Sequence, residues 1–182
     1  MSRRPSHPLR TFVAADTETT GFFHDDGDRV VEVAFLRFVD GEITERFVSL
    51  VHPQRPIPPR VTDIHGITDE MVAKSPTFKR LFSKIVKFVG DDPLVIHNAG
   101  FDVPFFETES YLAGKAWPAE IRVYCTLELA RSSGLFGWSH RLPDLAHHIG
   151  VKQKFHRAEA DAYTAGKLLL FLMAKNVAIE PW

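Results

Sequence analysis

The first apolar run, Phe12-Val13-Ala14-Ala15, leads directly into Asp16-Thr17-Glu18-Thr19-Thr20-Gly21, the pattern of a buried strand that closes on a polar turn. An acidic loop follows at 22–28, whose aspartates lack the spacing of a calcium-binding loop and read as solvated turn residues. Residues 29–39 are rich in Val and Phe, and Asp40-Gly41 behind them is a two-residue hairpin signal, so 43–51 returns as the next strand. The chain is therefore expected to open with three antiparallel strands. Four prolines between His52 and Arg60 predict a stiff surface loop. Thr68 is placed to cap a short helix from Asp69. A longer helix over 77–89 turns Leu81, Phe82, Ile85, Phe88 and Val89 inward and Lys79, Arg80, Lys84 and Lys87 to solvent. Leu94-Val95-Ile96 is a short buried strand, and Pro104 suits the first turn of a helix running to about Leu112. A fifth strand at 121–124, short helices at 127–131 and 142–149, a basic loop at 152–157 and a helix over 158–176 complete the pattern. Later strands separated by helices need crossover connections, so the expected fold class is α/β, a mixed sheet with helices on both sides.

Composition narrows the choices. The 182 residues are 45% hydrophobic and 25% charged, with a formal charge of −1, which suits one folded domain over 11–182 behind a loosely ordered basic arm at 1–10. That balance argues against binding nucleic acid through bulk positive charge, though not against a local groove. Cys125 is the only cysteine, which excludes an intrachain disulfide and a cysteine-based zinc site. The start lacks a secretory core and no apolar run reaches membrane-spanning length, so the expectation is a soluble, cytoplasmic protein with no membrane partner.

The candidate chemistry is carboxylate chemistry. Side chains alternate along a strand, so Asp16 and Glu18 point the same way. Two carboxylates side by side at the end of a buried strand repel each other, and a divalent cation such as Mg²⁺ or Mn²⁺ between them removes that problem. Asp102 follows the fourth strand, Asp161 stands in the first turn of the last helix, and His156 lies on the loop before it. Each has a bland account: a helix cap, a favourable helix-dipole charge, a solvated loop residue. Together, at strand ends of an α/β sheet, they converge on one site. Lys152, Lys154 and Arg157 flank the histidine, either as a solvated basic loop or as phosphate contacts.

Three blocks, DTETTG, HNAGFD and HRAEAD, resemble the three motifs of the DnaQ-like DEDDh 3′–5′ exonucleases, and the resemblance spans about residues 11 to 172. Ile64-His65-Gly66-Ile67-Thr68 is similar to a segment of the proofreading epsilon subunits of bacterial DNA polymerase III. The resemblance implies an RNase H-like fold with a central five-stranded mixed sheet. It implies two divalent cations held by Asp16, Glu18, Asp102 and Asp161, with His156 as general base. It also implies Thr19, Ile57, His65 and Phe101 against the terminal nucleotide, although Phe101 equally suits a core position. Two ions roughly 4 Å apart suit phosphodiester hydrolysis, because they stabilise charge on the attacking and leaving oxygens. The expected partner is the 3′ end of a single-stranded nucleic acid, DNA favoured over RNA. The alternatives are an exoribonuclease or a noncatalytic nucleic-acid-binding or polymerase-accessory module. Polymerase association is possible, but no docking tail follows the last helix, and a monomer and a homodimer are both compatible with the sequence.

Overall fold

The computed structural model describes residues 9–137, 139–153 and 155–182. Five strands, β1 Thr11–Thr19, β2 Val30–Val39, β3 Glu42–Leu50, β4 Leu94–Ile96 and β5 Val123–Cys125, form one sheet in the order β3-β2-β1-β4-β5. β1 pairs antiparallel with β2 and parallel with β4, so it is the strand at which the sheet changes direction. Seven helices lie among the described residues: α1 Pro59–His65, α2 Asp69–Val72, α3 Phe78–Val89, α4 Ala99–Leu112, α5 Thr126–Ser133, α6 Leu142–His148 and α7 Ala158–Ala174. None is long and apolar enough to cross a membrane.

Strand alternation sorts the core into two layers. Phe12 and Ala14 of β1, with Ala34, Leu36 and Phe38 of β2, pack beneath α5, α6 and α7. Val13 and Ala15, with Val33 and Phe35, pack against α3 and α4 on the other face. Helices therefore cover both sides, as the pattern predicted. The Phe12 and Phe38 rings stack with centroids 4.9 Å apart, and α7 reaches them through Gly166. A Cβ at that position would stand 2.5 Å from the Phe38 ring and 3.3 Å from the Ala14 methyl.

Three local expectations change. Helix α1 occupies the end of the proline-rich stretch expected as loop and the residues after it, because Pro59 sits where a helix start has no use for its missing N–H. Helix α4 begins at Ala99 rather than beside Pro104, which lies inside it. Asn98, in the left-handed region at φ 67°, turns the chain directly off β4 and lets the helix start at once. The Gly100 carbonyl that Pro104 leaves without a donor is at an exposed position open to water. The acidic loop is also not wholly solvated. Asp28 is buried and accepts hydrogen bonds from Thr20 Oγ1 at 2.9 Å and the Phe23 amide at 3.2 Å. A Cβ on Gly21 would overlap that carboxylate, which is why the turn after β1 needs glycine. Of the basic arm, residues 1–8 lie outside the described residues, whereas Leu9 is buried and Arg10 forks onto Asp40 through two 2.8 Å bonds.

Candidate active site

The alternation that builds the two core layers also distributes the acidic residues. Asp16 and Glu18 continue the Phe12–Ala14 face and meet Asp161 of the first turn of α7. One carboxylate oxygen from each of these three residues lies within 4.8 Å of the others, and all three side chains are partly buried. Thr17, between them, faces the opposite layer and finds Asp102 of α4. The Asp102 Oδ1 accepts from the Thr17 amide at 2.9 Å and from Thr17 Oγ1 at 2.7 Å. Asp102 is thus tied to β1 by the hydroxyl of Thr17, the residue between Asp16 and Glu18, and is buried beside the trio rather than within it.

Crowding and burial raise the proton affinity of every member. Burial is the largest cause throughout. Asp16 is held well above the usual carboxylate range, with the charges of Asp102, Asp161, Glu18 and Glu32 adding to burial. Glu18 is pushed up to about 8, by burial and then by Asp161, Glu32 and Asp102. Asp102 rises to about 7, even though the two Thr17 bonds oppose burial. Asp161 rises to about 6, with the His156 amide opposing. Such a set is poorly accommodated as bare anions. Among the described residues, Asp161 Oδ1 is also the one buried side-chain polar atom without a hydrogen-bond partner. An all-oxygen donor set, mutually repelling and with a free acceptor, fits one or more hard divalent cations.

His156 is exposed on the loop before α7. Its backbone is in the left-handed region at φ 64°, unusual for a residue other than glycine. Its amide donates to Asp161 Oδ2 at 3.1 Å. One residue that sequence reasoning passed over completes this corner. Glu32, in the middle of the apolar run of β2, stands opposite Glu18 in the sheet register and is buried. It accepts from Arg157 Nε at 3.0 Å, from Arg157 Nη2, and from the Ala158 amide at 3.0 Å. A lone glutamate inside Val30-Val31-Glu32-Val33-Ala34-Phe35 was the available signal. Arg157 is therefore engaged with Glu32, Lys152 is exposed, and Lys154 lies outside the described residues.

The four residues expected against a nucleotide occupy different layers. Thr19 is buried at the end of β1, and its carbonyl accepts from His65 Nε2 at 3.2 Å. The Ile67 amide donates to His65 Nδ1 at 2.9 Å, so both ring nitrogens of this buried histidine engage main chain, and burial lowers its pKa. Ile57 lies beneath α1 in a small apolar cluster with Val31, Val61, Ile67 and Val72. Phe101 is half-buried one residue before Asp102, 5.1 Å from Phe105 and 6.5 Å from Phe22 between ring centroids. Phe22, just past Gly21, is 54% exposed and was not anticipated; an apolar residue following the turn glycine was its only signal.

A sheet in this order, with carboxylates gathered at the carboxyl end of its central strand, is the arrangement of an RNase H-like nuclease. The Exonuclease family, RNase_T, has a model that matches residues 13–169, and the chain belongs to that family. It is 37% identical over 173 residues to the DNA polymerase III subunit epsilon of Treponema pallidum, covering 93% of this chain and 80% of that protein. It is 36% identical over 170 residues to a DNA polymerase III subunit epsilon-like protein of Rhodobacter capsulatus, covering 90% of this chain but 24% of the relative. Among solved structures it resembles exonuclease X in complex with 5′ overhanging duplex DNA, at 29% identity and a TM-score of 0.73, covering 90% of this chain and 92% of that one.

Proposed function

We propose that the chain is a DEDDh-type 3′–5′ exonuclease that hydrolyses the terminal phosphodiester of single-stranded nucleic acid, DNA in preference to RNA, and releases nucleoside monophosphates. The observation that carries this reading is the Asp16, Glu18 and Asp161 trio, with a free buried acceptor on Asp161 and a histidine tethered to the same aspartate. The trio, with Asp102 beside it, would hold two divalent cations, Mg²⁺ or Mn²⁺. When bound, such ions compensate the charge that develops on the attacking and leaving oxygens.

The chain's own residues supply position and proton transfer. His156, exposed on the loop before α7, takes a proton from the attacking water on a ring nitrogen. The new P–O bond forms as the bond to the 3′ oxygen of the preceding nucleotide breaks. That oxygen leaves with a proton from solvent, and His156 returns its own proton to solvent. Phe22 and Phe101 offer adjacent aromatic faces on which the terminal base stacks. Thr19, Ile57 and His65 complete the nucleotide site, His65 by fixing the Thr19 carbonyl. The preference for DNA is supported by relatives that are DNA polymerase subunits and by exonuclease X bound to DNA.

The test is a time course on single-stranded DNA and RNA of one sequence, labelled at the 5′ end, with Mg²⁺ and with Mn²⁺, and with Asp16→Ala as the blank. Stepwise shortening of DNA is the expected result. Faster loss of RNA would make the chain an exoribonuclease acting through the same residues. Binding of both polymers without shortening would leave a noncatalytic module, and full activity in Asp16→Ala would remove the site.

A further inference from the structure

Glu32 is an awkward residue to bury where it is. It stands opposite Glu18 on the neighbouring strand, and its charge raises the proton affinities of Asp16, Glu18 and Asp161. An apolar side chain would fill this place on β2 without adding a further anion to the cluster. What the carboxylate gains is a set of bonds to two consecutive residues, 157 and 158. Its two oxygens take the Arg157 guanidinium side-on, and Oε2 also takes the first amide of α7, a capping bond that Arg157 itself does not make. On the near side of that pair, the His156 amide is held by Asp161 Oδ2. Three consecutive residues are thus fixed to β2 and to the trio, and the histidine among them holds a left-handed backbone conformation, a sparsely populated region.

We propose that Glu32 and Arg157 are positioning residues, a clamp between β2 and the start of α7 that holds His156 over the carboxylate site for proton transfer. The proposal rests on the nuclease reading above and gives Arg157 a different task from contacting phosphate. A planar fork on a buried carboxylate fixes direction as well as distance, which neither a lysine nor an amide reproduces. Both partners act on His156 through the backbone and touch no substrate.

The test compares wild type, Arg157→Gln, Glu32→Gln and His156→Ala, alone and combined, by steady-state cleavage of single-stranded DNA and by amide exchange of the cation-free protein. Arg157 is half-exposed, so its variant is expected to fold even if the buried Glu32→Gln does not. Arg157→Gln is expected to lower kcat about tenfold to a hundredfold with KM nearly unchanged. In the His156→Ala background the same change is expected to have almost no further effect, and the two clamp changes together to do no more than either alone. Amides of residues 155–158 are expected to exchange about tenfold faster in Arg157→Gln, with the sheet unaffected. A raised, salt-sensitive KM at unchanged kcat would make Arg157 a phosphate contact and overturn the clamp. So would an equal loss with and without His156, or unchanged exchange at 155–158. If His156→Ala matched wild-type turnover, the nuclease mechanism would fail, while the exchange data alone would still decide whether the pair holds the loop.

Discussion

Replacing Glu18 by Gln should make the cation-free protein more stable at alkaline pH and abolish its chemistry. Folding raises this carboxyl from 4.5 to about 8. Between those values the folded chain binds a proton that the unfolded chain releases. The associated stability is fully present below the unfolded value and is lost as pH rises through the folded one. At ~1.4 kcal/mol per tenfold in proton affinity, the full effect is roughly 5 kcal/mol, and partial solvent access reduces it to about 2–5 kcal/mol. For a chain of this size that corresponds to a Tm difference of about 5–15 °C. The assay is a series of melts in EDTA from about pH 6.5 to 9, wild type beside Glu18→Gln. The lower limit avoids His97, whose burial pushes it down to about 4 and which therefore destabilises the fold as pH falls below its ordinary 6.5. Wild type should lose Tm across the range and the variant should lose less, with the gap widest at the alkaline end. Saturating Mn²⁺ should reverse the order, because wild type gains ligand-linked stability that the variant cannot match. A cation-free wild-type Tm that stays level to pH 9, or a variant no more stable than wild type there, would refute the reasoning.

Two further changes probe the turn after β1. Gly21→Ala forces a methyl group into the Asp28 carboxylate and should destabilise the protein by about 1–3 kcal/mol, read as a lower midpoint in urea at unchanged slope. Phe22→Ala, at an exposed position, should leave that midpoint within about 0.5 kcal/mol and raise KM for single-stranded DNA about tenfold; an unchanged KM would take Phe22 out of the substrate site.

Much of the fold was legible because it is written in short-range periodicity. The strands at 11–19 and 30–39, the Asp40-Gly41 hairpin and the apolar faces of α3 and α7 all announce themselves locally. Their boundaries were less so: α4 starts at Ala99 because Asn98 adopts a left-handed turn, a conformation that periodicity does not encode. Asp16, Glu18 and Asp161 could be brought together from strand parity and helix position alone. The Thr17 hydroxyl on Asp102 and the Glu32 fork on Arg157 could not, because each joins residues 85 or 125 positions apart whose meeting depends on sheet register. His65 was legible as part of a motif, but its two main-chain bonds emerge only when α1 is folded against β1.

Gly166 lies five residues beyond Asp161 on α7, buried against the hydrophobic layer. Its missing side chain sets how closely the helix approaches Ala14 and the Phe12–Phe38 stack, and therefore how far Asp161 stands from Asp16 and Glu18 on the strand below. The spacing of the acidic trio is thus gauged from within the core. A larger residue there would push α7 off the sheet, so the three carboxylates would spread and the core would loosen together, although none of the three had been changed.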